Sequence, residues 1–139
     1  MDAVTGVEQS YAEVAAGVTA TLAAYAHALD DGRTGDVVDT FCPDGSVDIP
    51  GLGVHEGHEA LRVAYAKWVP RRPQRHVVAN IHVTTGADGA AQAVSDVLFL
   101  LEGDDGWAVQ VVGRYSDVLH LHGDRWRFHR RTAEFVPSP

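Results

Sequence analysis

The sequence has little of what marks a secreted, membrane-spanning or nucleic-acid-binding chain. Cys42 is its single cysteine, so no intrachain disulfide can form and a reducing compartment is expected. Its apolar runs fall far short of the roughly 18–20 residues that a spanning helix needs, so no membrane is expected. Met1-Asp2-Ala3-Val4 shows no basic segment leading into an apolar core, so no secretory signal is expected and the chain reads as cytoplasmic. Basic residues are also scarce, 11 Lys and Arg against 19 Asp and Glu, and they are scattered. A groove that tracks a phosphate backbone needs them clustered, so nucleic acid is not an expected partner. The short run Arg71-Arg72 with Arg75 is broken by Pro73 and reads as a solvated loop. G-x-G-x-x-G, the P-loop and G-x-S-x-G are all missing, and no cofactor is expected.

What is present is ordinary globular material, 45% hydrophobic and 22% charged over 139 residues, enough for one domain with a core over about residues 8–136. Over residues 8–31, Tyr11, Val14, Val18, Leu22, Tyr25 and Leu29 recur at spacings of three and four. That is one face of an amphipathic helix, stopped by Gly32. Residues 34–41 predict a short second helix. Pro43-Asp44-Gly45 predicts a turn, and residues 46–49 a short strand. Residues 56–69 predict a third helix with Leu61, Tyr65 and Trp68 on one side, ended by Pro70.

Beyond Pro73 the period changes from helical to alternating. Residues 75–85, 90–102, 107–121 and 125–136 read as strands, separated by Gly- and Asp-rich hairpin turns. Pro137-Ser138-Pro139 is expected to fray. Helices followed by an antiparallel meander give an α+β order. Each strand exceeds the usual length of about 5–6 residues, so the sheet must curve, and wrapping it on the long first helix makes a cone with one mouth.

Four segments then fall into a known register: Tyr25-Ala-His-Ala-Leu-Asp30 with Asp36 and Phe41, Arg75-His76 opening a strand, Gly113-Arg114-Tyr115-Ser116-Asp117, and Trp126 through Arg131. Together they resemble the SnoaL-like family of the nuclear-transport-factor-2-like superfamily, over roughly residues 14–135. The superfamily includes scytalone dehydratase, bile-acid 7α-dehydratase, ketosteroid isomerase, polyketide cyclases and non-catalytic modules, so function must be argued from the site.

Parity puts His76, Val78, Asn80 and His82 on one face of their strand and Val77, Ala79, Ile81 and Val83 on the other, without saying which is inner. The resemblance implies that His76 points inward as the acid–base residue, a role histidine commonly takes. It also implies that Asp30 stands beside His76, orienting the ring. A carboxylate at a helix C-terminus is unfavourable to the dipole and needs a partner or water. Tyr25 shares the spacing to the aspartate seen in the bile-acid enzyme, where the tyrosine is a pocket donor; a core tyrosine fits the same position. Tyr115, Asn80, Trp68, Phe99 and Phe128 are candidate substrate contacts, or core. The second catalytic histidine and the pocket tyrosines of scytalone dehydratase have no counterpart here, where Leu29, Ile49 and Phe99–Leu101 stand.

Metal is not expected. His55 and His58, beside Glu56 and Glu59, lack the zincin spacing, and a helix N-terminus repels cations. His120 and His122 share a face near a turn and read as exposed, and Cys42 has no obvious activating base. Two function classes follow. One is a cofactor-free lyase or isomerase, a dehydratase or cyclase, acting on a hydrophobic polycyclic, aromatic polyketide-like or steroid-like substrate. In it His76 takes a proton, Asp30 holds the imidazolium and Tyr25 or Tyr115 steadies the enolate. The other is a binding or assembly module with the same residues structural. The outer sheet face, with Val77, Ala79, Ile81, Val83, Val94, Leu98, Leu100, Val112 and Val118, predicts a homodimer, with Arg127, His129 and Arg131 as its polar rim.

Overall fold

The structure, a computed structural model, describes residues 8–137. Met1-Asp2-Ala3-Val4 and Ser138-Pro139, considered above, lie outside them. The first helix, α1, runs Tyr11–Asp30. It starts with the first residue of its apolar stripe, later than the expected residue 8, because Ser10 caps it. The Ser10 hydroxyl accepts the Glu13 amide at 3.1 Å, and the Glu13 carboxylate accepts the Ser10 amide at 3.0 Å, a reciprocal capping box. Val14, Val18, Leu22, Tyr25 and Leu29 are buried as the stripe requires. Tyr11 is exposed at its ring, yet its hydroxyl donates to the Val83 carbonyl at 2.8 Å and ties the helix start to the sheet.

Helix α2 spans Thr34–Asp39 and helix α3 spans His58–Lys67, with Trp68 as its C-cap. No helix among the described residues is long and apolar enough to cross a membrane. Phe41, expected at the end of the second helix, instead opens strand β1, Phe41–Ile49. Pro43-Asp44-Gly45 makes no reversal of the chain; it is a bulge, where the pairing of β1 shifts between Phe41 and Ser46. The chain is so close there that a Cβ on Gly45 would lie 2.6 Å from the Phe128 carbonyl oxygen. Strand β2, Gly53–Glu56, was not expected; its last residue, Glu56, is the one expected to start the third helix.

Strands β3, Gln74–Thr85, β4, Ala91–Gly103, β5, Gly106–His122, and β6, Arg125–Phe135, form the expected long meander. The sheet order is β2-β1-β6-β5-β4-β3. Its pairs are antiparallel except β1 with β6, which is parallel, so the curved sheet is mixed rather than wholly antiparallel. Helix α1 lies across its concave face. A Cβ on Gly17 would meet the Trp126 ring at 2.6 Å, so the helix approaches β6 only because that residue has no side chain.

Bulges decide which side chains face inward. In β3 the register with β4 shifts between Ala79 and His82, and Asn80 takes φ 54°, a conformation asparagine tolerates better than most residues. One extra residue reverses the alternation. Gln74, His76 and Val78 face inward before the bulge, and Ile81 and Val83 face inward after it. The expectation that Ile81 and Val83 lie on the outer face is therefore corrected. In β6 the register shifts opposite Val118 and Leu119, so Trp126 and Phe128 face inward and then Arg131 and Ala133 do. Arg131 is not a rim residue but fully buried.

Candidate active site

Asp30 ends α1 with its carboxylate directed at β3. It accepts the His76 backbone amide at 2.8 Å, His76 Nδ1 at 2.7 Å and the Gln74 side-chain amide at 3.2 Å. Burial pushes the Asp30 carboxyl up, but these donors and the charge of His76 more than offset it and hold the group below its ordinary value. The unfavourable end of the helix is thus compensated by one strand. With Nδ1 engaged, Nε2 is the ring nitrogen of His76 left for a bound molecule. His76 lines two cavities. One, of about 290 Å³, also takes Tyr25, Leu29, Trp68, Val97, Phe99 and Tyr115 in its wall. The other, of about 270 Å³, lies toward His27, Asp30 and Arg75. The Phe99 ring stands 4.7 Å from the His76 ring, centroid to centroid.

Tyr25 contributes a phenol to the same cavity, and its hydroxyl lies 2.6 Å from that of Tyr65 on α3. In such a pair one hydroxyl donates to the other, leaving the second proton for a ligand or another acceptor. Burial pushes both phenols up, and Tyr115 with them, so all three remain neutral donors through the neutral range.

Beneath this wall sits a second buried carboxylate pair. Arg131 Nε donates to Asp117 at 2.9 Å and its Nη2 donates at 3.2 Å, with both side chains sealed from solvent. The guanidinium carbon lies 3.5 Å from the Tyr115 ring centroid, 4.4 Å from that of Tyr25 and 4.5 Å from that of Phe128. Burial would lower the guanidinium's pKa, but Asp117 and the phenols hold it above its ordinary value, so it stays charged. Arg131 thereby sets the planes of two pocket tyrosines without lining the pocket itself.

Of the residues selected from sequence, His76, Tyr25, Tyr115, Trp68 and Phe99 line one cavity, and Asp30 backs His76. Two do not join them. Asn80 is exposed at the bulge, donating to Asp96 at 2.8 Å, because the reversed alternation carries it outward. Phe128 is fully buried under Tyr25 and belongs to the core. Tyr65, Gln74, Arg131 and Asp117 were missed. Tyr115 and Asp117 share a face by simple alternation, a signal that was available; the inward turn of Arg131 was not, since it depends on a bulge. His55 and His58 each spend Nε2 on a carbonyl, Leu52 and Phe41 respectively, both at 2.9 Å.

A SnoaL-like domain is matched over residues 10–132, and the chain belongs to that family. No curated protein matches it by sequence. A protein from Catenulispora acidiphila, solved in complex with S-DNPA, is 30% identical at a TM-score of 0.79, over 89% of this chain and 94% of that one. A protein of unknown function from Mycobacterium tuberculosis is 21% identical at a TM-score of 0.83, over 94% of this chain and 78% of that one. One from Novosphingobium aromaticivorans, provisionally named a scytalone dehydratase, is 18% identical at 0.78, over 89% and 85%. The last two likenesses speak to fold alone.

Proposed function

We propose that this SnoaL-like protein is a cofactor-free lyase or isomerase, a dehydratase or cyclase, that moves a proton beside a carbonyl of an apolar aromatic or polycyclic substrate. The observation that carries the reading is the His76–Asp30 pair at 2.7 Å, standing in the wall of a cavity that also receives Tyr25. His76 Nε2 takes the proton, and Asp30 holds Nδ1–H and stabilises the imidazolium. The Tyr25 phenol, partnered by Tyr65, donates to the developing enolate oxygen. A dry, apolar wall strengthens that hydrogen bond relative to water. Loss of water, ring closure or double-bond migration each proceeds from the same enolate. Polyketide-like and steroid-like ketones match the lining, which is mainly aliphatic and aromatic. The Catenulispora relative, solved with a bound compound, supports a ligand pocket rather than a filled core.

Incubation with a panel of aromatic polyketide and steroid ketones, read by mass spectrometry, tests this. At least one ketone is converted by wild type and not by His76→Ala; conversion of none, with tight binding of several, supports the binding-module reading instead.

We also propose that the chain is a homodimer through the outer sheet face. Val77, Leu98 and Val112 remain 47%, 38% and 44% exposed and stand side by side across β3, β4 and β5, while Val94, 40% exposed, lies further along β4 beyond Asp96. Sedimentation equilibrium is expected to give twice the 14.9 kDa chain mass, and a single species at that chain mass overturns it.

A further inference from the structure

Far from the pocket, the curvature of the sheet gathers three ligating side chains that are distant in sequence. Cys42 follows the first residue of β1, and His120 and His122 lie two apart on β5, so their side chains share a face. Strand β6 runs between them, with Arg127 opposite His120 in the register. The Cys42 thiol reaches across to the Arg127 carbonyl at 3.6 Å. Its sulfur and one nitrogen of each histidine all lie within 4.8 Å of one another. In a tetrahedral zinc centre, with bonds of about 2.3 Å to sulfur and about 2.0 Å to nitrogen, ligand atoms stand roughly 3.3–3.6 Å apart. Small side-chain rotations close that difference.

We propose that Cys42, His120 and His122 form a binding site for a borderline divalent transition-metal ion, zinc foremost, with the fourth position open to water. One thiolate and two imidazoles suit such an ion and disfavour magnesium or calcium, which take oxygen ligands. His129 stacks on His120, with centroids 4.4 Å apart and planes 13° from parallel, which fixes the orientation of the His120 ring. Burial and the Asp44 carboxylate push the Cys42 thiol up, so binding must displace its proton. The Asp44 charge favours a cation there, and the Arg127 guanidinium opposes it.

The site is separate from the proposed catalytic residues. His120 lies five residues along β5 from Tyr115, roughly 16 Å at the strand rise. Its effect is structural: the ion would clasp the bulged start of β1 to β5 across β6, where backbone pairing is interrupted.

Tag-free protein titrated with cobalt(II), then displaced by zinc(II), tests the proposal. One equivalent is expected to bind, with a thiolate-to-cobalt charge-transfer band that Cys42→Ser removes. His122→Ala, at an exposed position that leaves the fold intact, is expected to weaken zinc binding by at least about tenfold, the scale on which even outer-shell changes act. The substitution His55→Ala is expected to leave it unchanged, and a comparable loss there would overturn the assignment to His122. Absence of the charge-transfer band in wild type, or zinc affinity unaltered in His122→Ala, overturns the assignment.

Discussion

Two of the carboxylates that hold basic partners, Asp117 and Asp30, do so in opposite surroundings. Asp117 and Arg131 are sealed, doubly hydrogen-bonded and enclosed by three aromatic rings. His76 lines two cavities, Asp30 lines one of them, and the imidazole keeps a second nitrogen outside the bond to Asp30. A guanidinium cannot give up its proton, so the first pair can only position. An imidazole can, so the second pair can carry a proton and be reset. A pair that can only position is set apart from one that can carry a proton by the base and by its access to a cavity.

Breaking the sealed pair should have the largest effect. Arg131→Met leaves Asp117 buried without a partner, and a loss of about 3–5 kcal/mol of stability is expected by chemical denaturation. The double variant Arg131→Met with Asp117→Leu should recover much of it; no recovery would mean the rings around Arg131, not the charges, set the cost. His76→Ala should cost less stability than Arg131→Met, because Asp30 keeps the Gln74 and backbone donors, yet lower turnover of a converted ketone by about 10²–10⁴-fold. Tyr25→Phe should cost about 10²-fold in kcat if its phenol meets the enolate, and Tyr65→Phe less, since Tyr65 acts through Tyr25. Equal losses in the two would place the ligand contact on the pair rather than on Tyr25.

The smallest effect is on acid stability. The Asp30 carboxyl lies below its ordinary 3.8 in the folded state. Its ionised form therefore contributes stability above that value, and the contribution is lost as pH falls through the folded one. Wild type should lose stability more steeply than Asp30→Asn as pH falls below about 3.8, by denaturant melts on either side of that value.

The same contrast explains what the sequence disclosed. The helix stripe from Val14 to Leu29 and the four long alternating runs are periodic signals, and each became the element expected. His76 and Asp30 could be paired because a family register links a helix end to a strand start. Asn80 and Arg131 were misplaced for one reason: a bulge adds an unpaired residue and reverses every later side chain, while the alternation of residue types continues unchanged. The asparagine itself was the available sign of a left-handed residue in β3. Residues 46–49 were expected as a strand, but the first part of β1 was obscured by Pro43-Asp44-Gly45, whose turn chemistry here serves a bulge. Cys42 and the two histidines meet only through the curvature of the sheet, which no local pattern encodes.

The central claim, that the open pair moves a proton of a bound ketone, is tested most directly by isotope exchange. A ketone that binds the pocket is incubated in deuterium oxide and its α-carbon followed by nuclear magnetic resonance, with wild type, His76→Ala and Asp30→Asn in parallel. Wild type is expected to speed deuterium incorporation, His76→Ala to fall to the rate in buffer, and Asp30→Asn to lie between. Enzyme-accelerated incorporation that survives in His76→Ala would contradict the account.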